Sequence, residues 1–147
     1  MIYFASDNKS DAFRKKLIEL FDLDADSFTD LQSGDPLDLS IVMAEKIRQN
    51  PQENRGIFVE QYGALPFMAA SKFPSVICAE VSDEHSSKMT RDHNNANMIS
   101  LGTRIIGEDV ALSICRRFLS GKYSAGRHQI RIDMLEAMTK ESSEDRL

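Results

Sequence analysis

The sequence predicts an α/β domain: a mainly parallel sheet with helices on both faces. Three observations carry the prediction. Short apolar runs recur at positions 2–6, 56–60, 76–81 and 97–102. Between them lie stretches whose apolar residues are spaced three and four apart, the helical period. The runs are nearly continuous rather than alternating, as in strands buried on both sides. Parallel strands joined through helices cross over right-handedly.

In order, "IYFAS" at 2–6 reads as a buried strand. Ser10 stands where it can cap a helix whose Phe13, Leu17, Leu20 and Phe21 share a face. Positions 22–36 are acidic, end in a Ser-Gly-Asp-Pro turn and allow a weak edge strand at 28–31. A helix is expected at 38–49, with Leu39, Val42, Met43, Lys46 and Ile47 at helical spacing. "GIFVE" at 56–60 is a second strand, followed by a short apolar helix at 64–72 that tolerates Pro66 in its first turn. "VICAEV" at 76–81 is a third strand. Ser82 is the expected cap of a helix at 83–92, whose acidic first turn suits the helix dipole. "NMISLG" at 97–102 is a fourth strand, stopped by Gly102. A helix at 108–119, a loop bracketed by Gly121 and Gly126, and a last helix at 129–140 complete a single domain over 1–140. The polar segment 141–147 is expected to fray. There is no internal repeat.

The 147 residues suffice for one core, and 41% hydrophobic content is that of a globular chain. A net charge of −5 argues against a general nucleic-acid binder. No apolar run approaches the ~18 residues of a membrane span. The opening "MIYFASDNKSD" lacks the basic and apolar regions of a signal peptide, so a cytoplasmic location is expected. Cys78 and Cys115 have no metal or disulfide spacing and read as buried reduced thiols.

In open parallel sheets, ligands gather at the carboxyl ends of strands near a switch point in strand order. That rule nominates Asp7 and Asn8, positions 60–63, positions 82–84 and positions 102–104. Five other residues have chemistry of their own. Arg127 and Arg131 are four apart and suited to grip a phosphate, although spacing alone fits a solvated helix start at least as well. His93 can carry a proton near neutrality or simply bond a free carbonyl at a helix end. Asn94 and Asn95 are donors to hydroxyls or turn residues. His85, His93 and His128 match no metal-ligand spacing. Gly63 permits a tight turn after the second strand, but the P-loop ending is absent.

The long segments "HNNANMISLGTRIIG" and "GRHQIR" resemble signatures of the sugar-phosphate isomerase family that comprises type B ribose-5-phosphate isomerase and galactose-6-phosphate isomerase. "QYGALPFMAASK", "AEVSDEHSSKMTRDHNNANMI" and "GRHQIRIDML" are most similar to the A-type subunits within it. The resemblance implies a Rossmann-like three-layer αβα sandwich with a five-stranded, mainly parallel sheet. It implies aldose–ketose isomerisation through an enediolate, no metal or organic cofactor, and assembly as a dimer or tetramer with the site between subunits. By position, His93 would open the sugar ring and Asn94 would bond hydroxyls or the enediolate. Arg127 and Arg131 would hold the phosphate, with Arg104 as a third cation, and Asp7 would bond the sugar.

One loop departs from the pattern. Catalytic members carry a cysteine base after the second clear strand, where this chain has Glu60 followed by "QYGALP". The family's Asp-His pair is Asp7-Asn8 here. The resemblance therefore implies a subunit of a heteromeric galactose-6-phosphate isomerase, with a cysteine-bearing B subunit as partner. The alternatives are a homomeric type B ribose-5-phosphate isomerase-like enzyme with Glu60 as base, and a non-catalytic sugar-phosphate binding protein.

Overall fold

The structure, a computed structural model, describes residues 1–144. Among these residues five parallel strands form one sheet: β1 (Ile2–Asp7), β2 (Phe28–Gly34), β3 (Arg55–Glu60), β4 (Cys78–Glu80) and β5 (Met98–Gly102). Their order is β2-β1-β3-β5-β4, so the switch point lies between β1 and β3. The helices are α1 (Asp11–Phe21), α2 (Pro36–Arg48), α3 (Ala64–Ala70), α4 (Glu84–Asn94), α5 (Glu108–Ser120) and α6 (Gln129–Glu144). Short 3-10 turns, Asn8–Ser10 and Gly126–His128, lead into α1 and α6. None of the described helices is long and apolar enough to cross a membrane.

Each central strand is apolar on both sides because each side meets a helical layer. Phe4, Ile57, Val59, Ile99 and Leu101 pack with Leu17 of α1 and with Ile114 and Phe118 of α5. Tyr3, Ala5, Phe58 and Met98 pack with Met43, Ala44 and Ile47 of α2 and Ala70 of α3. This is the expected three-layer sandwich. Phe58 is fully buried, and truncating such a side chain to alanine costs about 3–5 kcal/mol. Arg14 is also fully buried. Its guanidinium pairs with Asp11 at 2.7 Å and Asp30 at 3.0 Å, joining α1 to β2. Removing a partner from a buried charge of this kind costs about 3–5 kcal/mol.

The structure corrects several details of the sequence reading. Ser10 occupies the N-cap position of α1 but makes no side-chain cap; its hydroxyl pairs instead with Thr103 Oγ1 at 3.2 Å. Asp83, not Ser82, caps α4 by accepting the Ser86 N–H at 2.7 Å. Helix α2 starts early because Asp35 accepts the N–H groups of Leu37 and Asp38, with Pro36 at the first position. Strand β2 runs beyond 31 by way of a bulge: the register moves from Phe4↔Asp30 to Ser6↔Ser33, and Gln32 has φ 70°. Strand β4 is shorter than expected, because the Asn97 side chain takes the Ile77 N–H at 2.9 Å. Helix α6 continues past 140 into the segment expected to fray, of which residues 145–147 lie outside the described residues.

Candidate active site

The strands run in parallel, so every helix that follows a strand returns the chain to the amino edge of the sheet. The site residues divide accordingly. Asp7, Glu60 and Arg104 stand at or just beyond the carboxyl ends of β1, β3 and β5. His93 and Asn94 end α4 and therefore lie at the amino edge, as does the turn after α5 that carries Arg127. With a rise of about 3.3 Å per residue, the 5 residues of β5 separate the two edges by roughly 13 Å.

At the carboxyl edge the polar groups engage one another. Asp7 is buried; its Oδ1 accepts the Ser10 N–H at 2.9 Å and its Oδ2 accepts from Gln61 Nε2 at 3.3 Å. Thr103 and Arg104 donate their N–H groups to the carbonyls of Glu60 and Gln61, both at 2.9 Å. Glu60 folds back on its own loop, where Oε2 accepts the N–H groups of Tyr62 at 3.0 Å and Gly63 at 2.7 Å. Gly63 has φ 80°, a left-handed conformation that glycine adopts without strain. Ser100 locks this turn by donating to the Gly63 carbonyl at 2.6 Å. The Arg104 side chain is exposed and makes no ion pair among the described residues.

At the amino edge the geometry is more open. A groove of about 540 Å³ runs along β4 between α4 and α6, from Glu80 at the strand's carboxyl end past Thr90, His93, Asn94, His128 and Arg131, among others. The imidazoles of His93 and His128 are stacked, with centroids 4.4 Å apart and planes 10° from parallel. Partial burial, then His93, Arg127 and Arg131, push the His128 pKa below its ordinary value, because a further positive charge is unwelcome there. Arg127 belongs to the 3-10 turn and Arg131 to the first turn of α6, so the two do not share one continuous α-helical face. Both are exposed, and neither has a hydrogen-bonded or ionic partner among the described residues. Two unneutralised guanidiniums beside stacked imidazoles form a corner that attracts anions.

The neighbouring asparagines divide their work. Asn95 adopts φ 57°, closes α4, and accepts from the buried Arg91 at 2.8 Å. Asn97 accepts the Ile77 N–H and donates to the carbonyls of Ser75 and Pro51. Asn94 alone faces outward. Sequence reasoning nominated His93 and passed over His128, whose position inside "GRHQIR" between two arginines was the available signal. It grouped Arg104 with Arg127 and Arg131, but Arg104 stands at the opposite edge from that pair. Cys78 and Cys115 are free and buried, and burial pushes both thiols above their ordinary pKa. Among the described residues no three His, Cys, Asp or Glu side chains gather as a metal-holding cluster.

Known proteins share this pattern along the chain. The Ribose/Galactose Isomerase family pattern matches residues 2–135. Galactose-6-phosphate isomerase subunit LacA of Streptococcus equi subsp. zooepidemicus is 46% identical over 124 residues, covering 84% of this chain and 86% of that protein. The LacA subunit of Lactococcus lactis subsp. lactis is 47% identical over 104 residues, covering 71% and 73%. Ribose-5-phosphate isomerase B from Mycoplasma genitalium, solved with bound ribulose-5-phosphate, superposes with a TM-score of 0.87 at 28% identity, covering 95% of this chain and 96% of that one. The Clostridium thermocellum ribose-5-phosphate isomerase B gives 0.87 at 26% identity, covering 96% and 98%. This chain belongs to the ribose/galactose isomerase family.

Proposed function

We propose that this chain is the A-type subunit of a heteromeric galactose-6-phosphate isomerase, interconverting D-galactose 6-phosphate and D-tagatose 6-phosphate with a cysteine-bearing B subunit. One observation carries the reading: the chain's own candidate bases are withheld from substrate. The Glu60 carboxylate is held by two backbone N–H groups of its own loop, and both thiols are buried and raised. Taking a proton from carbon needs a base aimed at that carbon. The base then comes from another chain.

In this reading Arg127 and Arg131 hold the phosphate. His93 moves the proton that opens the ring, and Asn94 bonds the sugar hydroxyls. A partner's thiolate removes the C2 proton of the open aldose, leaving an enediolate across C1 and C2. The same proton returns to C1 while the O2 hydroxyl proton passes to O1, so the reaction is balanced without an external oxidant. Asp7 and Arg104 serve the complementary edge, where they meet a groove contributed by a neighbouring subunit. Large apolar side chains left in water on α3 and α6, including Leu65, Met68, Ile130, Met134 and Leu135, give such a neighbour a surface to cover.

The test is an isomerase assay of the purified chain alone and after co-expression with the cysteine-bearing partner. Turnover is expected in the mixture and not in the single chain. Full turnover by the single chain refutes the reading in favour of a homomeric enzyme. Ligand binding without turnover in every mixture refutes it in favour of a binding protein.

A further inference from the structure

We propose that Asp92 is a positioning residue that fixes the Arg127–His128–Arg131 group against His93 by fastening the α5–α6 connection to the last turn of α4. The inference rests on the anion-holding role proposed above for that group. Asp92 immediately precedes His93, and its side chain is only 16% exposed. Its Oδ1 accepts the Lys122 N–H at 3.2 Å. Its backbone carbonyl accepts both the N–H and the hydroxyl of Ser124, at 2.9 and 3.0 Å. Its Oδ2 receives Lys88 from the preceding turn, and that ammonium holds the carboxyl below its ordinary pKa.

The seam is tight. A Cβ on Gly121 would stand 2.7 Å from Arg91 Cγ and 3.0 Å from Asp92 Oδ1, although its φ of −66° and ψ of 149° suit any residue. Glycine is needed here for closeness, not for backbone freedom. Three residues beyond Ser124 the chain reaches Arg127, and the next residue stacks on His93. Within the connection, Tyr123 donates its hydroxyl to Gln129 Oε1 at 2.9 Å, which ties the seam to the first residue of α6. A polar bond from α6 to another part of the domain follows at Glu136, which accepts the N–H and hydroxyl of Ser75 at 2.8 and 3.3 Å. None of residues 121–124 is fully buried, so releasing the seam leaves the core intact and frees the cations to spread.

The complex with the partner subunit is assayed with galactose 6-phosphate, and inorganic phosphate is titrated against the His93 and His128 imidazole NMR signals. Asp92→Ala is expected to raise KM, and the phosphate dissociation constant, about tenfold while kcat changes less than about threefold. Asp92→Asn keeps an oxygen for the Lys122 N–H and is expected to recover most of the loss. Lys88→Ala removes the ion pair but not the seam and is expected to match the wild type. Gly121→Ala leaves Asp92 in place but pushes the connection away. It is expected to reproduce the Asp92→Ala effect, and it carries the test if Asp92→Ala does not fold. An unchanged KM in a folded Asp92→Ala or Gly121→Ala complex, or a fall in Tm alone, overturns the inference. An inactive wild-type complex refutes the functional reading instead, and the phosphate titration then decides this one.

Discussion

Asp7 and Glu60, at the carboxyl edge, give their carboxylate oxygens to groups in the adjoining loops: Ser10 and Gln61 for the first, Tyr62 and Gly63 for the second. Asn94, Arg127 and Arg131, at the amino edge, present polar groups that bond nothing among the described residues. Both regions are rich in charge, yet only the carboxylates of the first are satisfied from within, with Arg104 beside them left exposed. A buried polar group must find partners or destabilise the fold, so satisfied groups are part of the architecture. Exposed cations gathered without counter-ions lose stability by mutual repulsion, and an anionic ligand offsets that loss. Position relative to the strand ends, the usual guide in such sheets, would have ranked the two regions the other way round.

The strongest test of the contrast is to discharge the amino edge. Replacing Arg127 and Arg131 together by alanine should raise KM for the phosphorylated sugar roughly a hundredfold or more, since each charge-assisted bond contributes about 1.5–3 kcal/mol. Steady-state kinetics of the co-expressed complex measure this, and an unchanged KM would move the phosphate elsewhere. Disturbing the carboxyl edge should act on stability instead. Glu60→Ala leaves two loop N–H groups without their acceptor and should cost about 1–3 kcal/mol in chemical denaturation. Glu60→Gln retains an acceptor oxygen and should leave kcat of the complex within about threefold, whereas loss of turnover would identify Glu60 as a base.

The smallest effect concerns pH. The folded-state pKa of His128 lies below its ordinary 6.5, so in the window just beneath 6.5 the unfolded chain binds more protons than the folded one. Stability therefore rises with pH through that window and is lost as the pH falls through it. Thermal melts in closely spaced buffers should show a first drop in Tm just below pH 6.5, absent in His128→Ala. Asp83 and Asp92, whose pKa values lie below the ordinary 3.8, add a second loss at lower pH.

Much of the fold was legible because the central strands are apolar on both faces, as Phe4, Ile57, Phe58 and Leu101 show. The caps were less legible. Several serines and aspartates stand near each helix start, and distant partners decide which of them cap: Thr103 draws the Ser10 hydroxyl away from α1, while Asp7 caps the preceding turn through the Ser10 N–H. The bulge at Gln32 left no apolar pattern to read. His93, Arg127 and Arg131 were visible as residue types. The stack of His93 on His128 was not, because it depends on how residues 121–125 lie against α4. The separation of Arg104 from the other arginines follows from strand direction alone and was within reach of the sequence.

Cys78 sits in the floor shared by the groove beside α4 and a second groove of about 590 Å³ between α3 and α6, with Ile132 and Leu135 on the wall of both. It is inert as a nucleophile where it stands. Its place in that floor makes it a reporter: in a Cys115→Ser background, labelling of Cys78 by a thiol reagent is expected to slow when a sugar phosphate or a docked partner covers the grooves beside α6.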